Sequence, residues 1–292
     1  MDPSTTLTGG RRWIAAIVLL AVVAGCGGSS DAPPSRRAAA TTPAQRLDLS
    51  VVALTARIGG DRVESAGVLV DVDRGLIVTT AHGVWGARSL KVATGIAVLH
   101  GRIVARDSCD NLAVLETQPR LPGLVAIRPS GDGVELTERS LVAVRRHTGL
   151  PSGRRPDLLT RRVAASARAA TAVLPGVRPQ GAVALDGSGL PPAASGSPLL
   201  GTDGRLAGLA QVVERGRGTT RSALPWETIE ARLHELRPGD RAAYVGWRRH
   251  YACSEALHRY TAARHPRYRR SDAQLNAPVP ATRLPGTEEV DR

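Results

Sequence analysis

The sequence predicts an all-β protein assembled from many short strands. From about residue 47 to residue 225, runs rich in Val, Ile, Leu and Thr alternate with turns that contain Gly, Pro or Asp. Two of these runs, SAGVLVDV and GLIVTTAH, are separated by the turn signal Asp73-Arg74-Gly75, which predicts a β-hairpin. Many short strands separated by such turns are typical of a barrel or a sandwich.

The N-terminal segment predicts export. Arg11 and Arg12 precede an apolar run from Trp13 to Ala24, which is too short to span a bilayer and has the length of a signal-peptide core. The run ends in VAGC, residues 23–26, which resembles the lipobox of bacterial lipoproteins, where the cysteine is lipid-modified. Cys26 is therefore the expected lipidation site, with secretion without an anchor as the alternative.

The sequence after the apolar run predicts a tether. Residues 26–46 are rich in Gly, Ser, Pro and Ala and hold too little apolar surface to order themselves. We therefore expect a signal peptide over residues 1–25, a disordered tether over residues 26–46 and a folded domain from residue 47.

Further candidate strands follow the hairpin at similar intervals. They are LKVATGIAVLHGRIVA, NLAVLET, RSLVAVRR, SPLLGT and RLAGLAQVV. The Ala-rich run VAASARAATAVL, residues 163–174, fits a helix or a strand, because its periodicity does not decide between them.

Three motifs stand at the edges of these strands. They are TTAHGV (residues 79–84), RDSCDNLAVLE (residues 106–116) and AASGSPLLGTDGRLAGLA (residues 193–210). In this order they resemble the His, Asp and Ser segments of trypsin-like serine proteases, in particular the bacterial HtrA/Deg-like branch. The segment TRSALPWETIEARLHEL, residues 220–236, is similar to the last strand and closing helix of the same family.

The resemblance implies a fold and an activity for residues 47–236. The expected fold is a double six-stranded antiparallel β-barrel, with barrels over about 47–122 and 123–225, a closing C-terminal helix and a small helical or extended C-terminal extension. The expected substrate is a protein or peptide, cleaved without a cofactor. No His/Cys cluster has metal-ligand spacing, so no metal is expected.

The resemblance also assigns roles to individual residues. Ser195 is the expected nucleophile, and His82 is the base that takes its proton, because a serine hydroxyl is a weak nucleophile at neutral pH. The backbone N–H groups of Ala193 and Ser195 are the expected oxyanion hole.

Three features depart from the family pattern, of which the mildest is Ser197 in place of the second glycine of the nucleophile loop, away from the reacting atoms. Asn111 occupies the position of the aspartate that orients the histidine, and Asp110 precedes it. An asparagine there can offer an N–H to the imidazole and select the wrong tautomer, while Asp110 could take over the role if the loop turned it toward His82. Ala193 stands where the oxyanion glycine is expected, and its Cβ restricts the backbone.

The C-terminal extension, residues 237–292, has a distinct composition. It holds all four tyrosines and a dense set of arginines, and a helix is expected from Tyr244 to Arg264. No strand series typical of a PDZ domain is present. Aromatic and basic residues together can bind nucleic acid, but on an exported protein we favour a helix that packs on the barrel and exposes its arginines to solvent or lipid.

Charge and cysteines complete the prediction. The formal net charge of +13 favours anionic neighbours without choosing among them. Once Cys26 is lipidated, Cys109 and Cys253 remain, either joined in a disulfide or as two buried thiols.

The sequence thus predicts an exported, lipid-anchored serine endopeptidase at the cell envelope. The alternative is an inactive pseudoprotease that binds peptides, and a third reading is a basic structural lipoprotein. Nothing in the sequence predicts an oligomeric state.

Overall fold

The structure is a computed structural model that describes residues 42–118, 123–129, 140–145, 158–170, 174–177, 179–186, 189–216, 218–235 and 247–271. The predicted signal peptide, most of the predicted tether and the C-terminal tail lie outside these residues.

Twelve strands in the described residues close into two six-stranded barrels. The first barrel holds β1 (Val51–Ile58), β2 (Asp61–Asp71), β3 (Leu76–Thr80), β4 (Ser89–Ala93), β5 (Val98–Asp107) and β6 (Leu112–Gln118). The second holds β7 (Ser140–Arg145), β8 (Leu158–Ala169), β9 (Val183–Asp186), β10 (Pro198–Leu200), β11 (Leu206–Arg215) and β12 (Gly218–Pro225). The helices are α1 (Pro43–Ser50), α2 (Ala81–Val84), α3 (Trp226–Glu235) and α4 (Trp247–Arg264).

Strand pairing follows the same order in both barrels. The neighbours run β1-β2-β3-β6-β5-β4 in the first and β10-β11-β12-β9-β8-β7 in the second. The predicted hairpin is confirmed, since β2 and β3 pair antiparallel with Val68 opposite Val78. The Ala-rich run, which periodicity left undecided, lies largely in β8 and pairs with β7 and β9 on its two edges. The predicted double barrel is confirmed, and α3 follows β12 as the expected closing helix.

The barrels share an apolar interface. Val51 and Val68 of the first barrel belong to one buried cluster with Leu209, Leu224 and Trp226 of the second barrel and α3. Full burial of each such side chain contributes roughly 1.5–3 kcal/mol. This cluster fixes the crevice between the barrels, where Ser195 lies.

Helix α1 starts at Pro43, inside the segment expected to be a tether. Its first turn is stabilised by a capping box, in which Thr42 and Gln45 each bond the backbone N–H of the other. Pro43 suits the first helical position because an N–H there has no acceptor within the helix, so no hydrogen bond is lost. The pattern Thr-x-x-Gln is a helix start signal within the segment that composition alone predicts to be disordered.

Helix α4 packs on the first barrel. Cys253, Ala256 and Leu257 are buried in the cluster that contains Trp85, and Cys253 is bonded to Cys109 in a disulfide with an S–S distance of 2.06 Å. The expected helix over residues 244–264 is thus present from Trp247. Among the described helices, none is both long and apolar enough to cross a bilayer.

Candidate active site

Ser195 lies in the crevice between the barrels, clamped from both sides. Its carbonyl accepts the N–H of Ala66 in β2 at 2.8 Å, and the N–H of Gly196 donates to Ala210 in β11 at 2.7 Å. Gly196 has φ +85°, and a Cβ there would overlap the Ala66 carbonyl. Only glycine fits this close approach, so Gly196 fixes the position of Ser195.

His82 faces Ser195 from the first barrel. The short helix α2 starts where β3 ends and places His82 Nε2 3.1 Å from Ser195 Oγ. Both residues are buried, with 8% and 1% of their surface exposed. Ser195 Oγ also contacts Thr80 Oγ1 at 3.2 Å and accepts the Val212 N–H at 3.1 Å. The side chains of Ser195 and His82 are therefore within hydrogen-bonding reach of each other, as a nucleophile and its base require.

Asn111 holds the far side of the imidazole. It is the one non-glycine residue of the described segments in the left-handed region, with φ 56°, and asparagine tolerates this conformation well. Its Oδ1 accepts the backbone N–H of His82 at 2.9 Å, which fixes the orientation of the amide. Its Nδ2 then lies 2.9 Å from His82 Nδ1.

This orientation selects a tautomer of His82. An amide Nδ2 is only a donor, so the shorter of the two contacts, at 2.9 Å, favours the tautomer in which Nδ1 accepts and Nε2 carries the hydrogen. Nε2–H then donates to Ser195 Oγ, which already accepts from Val212, and the serine hydrogen is left for Thr80. In this ground state Nε2 cannot take the serine proton. Asn111 Oδ1, at 3.1 Å from Nδ1, offers an acceptor to the other tautomer, in which Nε2 is a base.

Burial keeps His82 neutral. Loss of hydration lowers the pKa of His82 from 6.5 to about 4, although the Asn111 side chain and the Val212 backbone favour the protonated ring. The positive charge of Arg264 lowers this pKa further. Among the described residues, no carboxylate raises this pKa, so an imidazolium at His82 would have little stabilisation.

Asp110 serves a different purpose. Its Oδ1 accepts the N–H of Gln180, and its Oδ2 pairs with Arg232 of α3 at 2.5 Å. Arg232 also lies 3.4 Å from Asp107. Of the two residues proposed to orient the base, the structure brings Asn111 to His82 and uses Asp110 to bind the loop to the closing helix.

The oxyanion hole is not formed. A 3₁₀ turn over Pro192–Ala194 makes the Ser195 N–H donate to the Pro192 carbonyl at 3.0 Å. Pro192 C=O and Ala193 N–H belong to one planar peptide and point in opposite directions. A flip of this peptide by about 180° would free the Ser195 N–H. The Ala193 N–H would then point to the same side as the Ser195 N–H, so that both could donate to one oxyanion. Ala193 itself is not in the left-handed region.

A cavity of about 440 Å³ opens over Ser195 and His82. Pro192, Ala193 and β2 residues form part of its lining, and Tyr260 and Arg264 of α4 also line it. The Tyr260 ring stands edge-on to the His82 ring, with centroids 5.8 Å apart. In the described part of the chain, no three His, Cys, Asp or Glu side chains converge to hold a metal ion.

Residues 65–209 match the family model described as the trypsin-like peptidase domain. The chain carries a trypsin-like peptidase domain. Among curated proteins, none matches the sequence significantly.

Solved structures share the fold of the peptidase domain. The Rv3671c protease from M. tuberculosis in its active form has 14% identity and a TM-score of 0.52, covering 66% of this chain and 83% of that chain. Its inactive form has 16% identity and a TM-score of 0.50, covering 66% and 92%. The serine endoprotease from Yersinia pestis has 19% identity and a TM-score of 0.50, covering 68% and 67%. At these identities the likeness concerns the fold.

The remaining predicted site residues fall in two places. Cys109, beside the Asp110–Asn111 pair of the peptidase domain, is the disulfide partner of Cys253. Cys26 lies outside the described residues. The positions of Tyr260 and Arg264 in the cavity were not predicted from the sequence. The signal for them was the pair of cysteines, because a Cys109–Cys253 bridge brings α4 to the loop of Asn111.

Proposed function

We propose that this chain is an exported, lipid-anchored serine endopeptidase that cleaves proteins or peptides at the cell envelope with slow turnover. The observation that carries the proposal is the 3.1 Å contact between Ser195 Oγ and His82 Nε2 beneath an open cavity. A nucleophile and a base within reach of each other are the minimum for acyl transfer.

The proposed mechanism uses the minor tautomer of His82. When Nδ1–H donates to Asn111 Oδ1, Nε2 takes the proton of Ser195 as its oxygen attacks the scissile carbonyl. The imidazolium then gives this proton to the leaving amine, and water removes the acyl group by the same steps in reverse. The N–H groups of Ser195 and Ala193 bind the oxyanion once the Pro192–Ala193 peptide has turned.

Two features favour a second candidate, a pseudoprotease that binds peptides without cutting them. The Asn111 amide selects the wrong tautomer, and the Ser195 N–H is bonded to Pro192. Each of these lowers the rate independently, so their combined effect could leave binding as the sole activity of the cavity.

Labelling of Ser195 separates the two candidates. A fluorophosphonate probe added to the intact protein should modify Ser195, as read from a peptide mass, and leave a Ser195→Ala form unmodified. Absence of labelling in both the wild type and an Asn111→Asp form would favour the binding protein.

Membrane attachment is tested separately. Because VAGC follows the apolar run, Cys26 is expected to carry diacylglycerol and to bring the chain into the detergent phase. A Cys26→Ser form should lose this partitioning. If it stays in the membrane fraction as fully as the parent, the anchor at Cys26 is wrong.

A further inference from the structure

Helix α4 is fixed to the peptidase domain at several points. The Cys109–Cys253 disulfide joins it to the loop that carries Asn111, and Leu257 is fully buried against the first barrel. Trp85 of the barrel donates its indole N–H to His258 of α4 at 3.3 Å. The position of the last turn of α4 over the cavity is therefore set by packing and by a covalent bond.

Strand β11 has an edge that faces this cavity. Its residues 211, 213 and 215 lie opposite Ser222, Thr220 and Gly218 of β12. On the other edge, Ala210 bonds Ser197 and Gly196, and the Val212 N–H donates to Ser195 Oγ. Because strand residues direct their N–H and C=O groups to alternate edges, Glu214 also points toward the cavity.

A peptide that acylates Ser195 can extend this edge. Its reacting residue would lie beside Val212, and in antiparallel pairing the residue two positions earlier would face Glu214. The N–H of that earlier residue would then donate to the Glu214 carbonyl. Strand addition of this kind gains affinity through main-chain hydrogen bonds.

Arg264 is already hydrogen-bonded to the Glu214 carbonyl. Its Nη1 donates to this oxygen at 3.2 Å, and its guanidinium forms an ion pair with the Glu214 carboxylate. The guanidinium also lies over the Tyr260 ring, 5.1 Å from the ring centroid, and Tyr260 contacts His82 edge-on. One turn of α4 thus spans the cavity from the base to the outer end of the β11 edge.

We propose that Arg264 is an intramolecular competitor of the substrate, which takes the place of the third substrate residue before the scissile bond on Glu214. This inference rests on the proposed function, because it assumes a peptide bound along β11. Peptides that reach Glu214 must displace Arg264, whereas shorter ones need not. Arg264 therefore determines whether the third substrate residue before the scissile bond contributes to binding.

Two covalent probes of different length test the proposal. One is N-acetyl-alanine diphenyl phosphonate, and the other carries N-acetyl-Ala-Ala-Ala before the same phosphonate. Arg264→Met removes the donor but keeps an unbranched side chain against Tyr260. Arg259→Met is the matched control, because Arg259 is an exposed arginine of the same helix that does not line the cavity.

We expect Arg264→Met to raise the ratio of the two labelling rates, three-residue probe over one-residue probe, about tenfold, the worth of one charge-assisted hydrogen bond. The one-residue probe corrects for any change in the reactivity of Ser195 that follows from removing the Arg264 charge near His82. Arg259→Met should leave the ratio unchanged. An unchanged ratio of the two rates in Arg264→Met would overturn the proposal. If Arg264→Met fails to fold, as judged by its melting curve, the same ratio is measured in Glu214→Gln, where a smaller gain is expected.

A different readout applies if the proposed function fails. If neither probe labels the wild type or Asn111→Asp, binding of fluorescein-labelled hexa-alanine is measured by anisotropy on a Ser195→Ala background. Tighter binding by about tenfold after adding Arg264→Met would support the competitor role. Equal binding, or no binding to either form, would refute it.

Discussion

If the proposed function holds, Asn111→Asp should raise the rate of peptide cleavage. A carboxylate in the same position keeps one oxygen 2.9 Å from the His82 N–H and places the other where Nδ2 now lies, 2.9 Å from Nδ1. An oxygen there can only accept, so the hydrogen moves to Nδ1 and Nε2 becomes free to take the serine proton. The left-handed backbone at residue 111 tolerates aspartate as well as asparagine.

The size of the gain follows from the tautomer and the charge. Selection of the wrong tautomer costs up to about 10⁴-fold in turnover in serine proteases. The alternative contact of Nδ1 with Asn111 Oδ1, at 3.1 Å, lowers this cost, so we expect a gain of roughly 10²- to 10⁴-fold. The closed oxyanion hole slows both proteins, and its effect cancels in their ratio. The new carboxylate should also raise the pKa of His82 from about 4 toward 6.5.

The assay is hydrolysis of peptide p-nitroanilides by purified wild type and Asn111→Asp, with Ser195→Ala as the blank. Asp110→Asn is the matched control, since it changes a charge at the adjacent position and leaves the Asn111 amide on His82. A value of kcat/KM in Asn111→Asp no higher than in the wild type would refute the reasoning, provided that the variant melts at the same temperature.

Three further outcomes are expected. Asp110→Asn should lower the free energy of unfolding by about 1.5–3 kcal/mol, because it weakens a charge-assisted bond to Arg232, and urea denaturation measures this; an unchanged midpoint would contradict the role given to Asp110. Cys253→Ser should lower the free energy of unfolding by about 2–5 kcal/mol, since the bridge closes a loop of 144 residues. Equal stability of the wild type with and without reductant would show that the bridge does not form. The pKa of His82 is lower in the folded chain than the 6.5 of the unfolded one, so the unfolded chain binds the proton first as pH falls. Stability should therefore decrease between pH 6.5 and about 4, less steeply in His82→Gln; identical slopes would contradict the buried neutral ring.

The sequence predicted what local patterns determine. The hairpin of β2 and β3 could be read from two runs and a turn, and His82 and Ser195 could be read from motifs at strand ends. That these two side chains meet, 3.1 Å apart, was expected only from the family resemblance, because no local pattern predicts how two barrels pack together. Helix α4 was predicted as a helix on the barrel, but its register over the cavity depends on contacts with residues more than a hundred positions away.

The choice between Asp110 and Asn111 was not readable from the sequence. It depends on one backbone torsion, the φ of 56° at Asn111, and on the Gln180 and Arg232 partners of Asp110. The closed oxyanion hole could not be predicted either, since the sequence is compatible with both orientations of the Pro192–Ala193 peptide. Both features result from hydrogen bonds that the folded chain alone brings together.

The protonation of His82 Nδ1 is the most direct test of the central claim, that an intact serine and histidine are slowed by the Asn111 amide. Nitrogen-15 NMR of protein labelled at histidine reports which ring nitrogen carries the hydrogen. The structure predicts Nε2–H for His82 in the wild type and Nδ1–H in Asn111→Asp. Nδ1–H as the main form of His82 in the wild type would contradict the account.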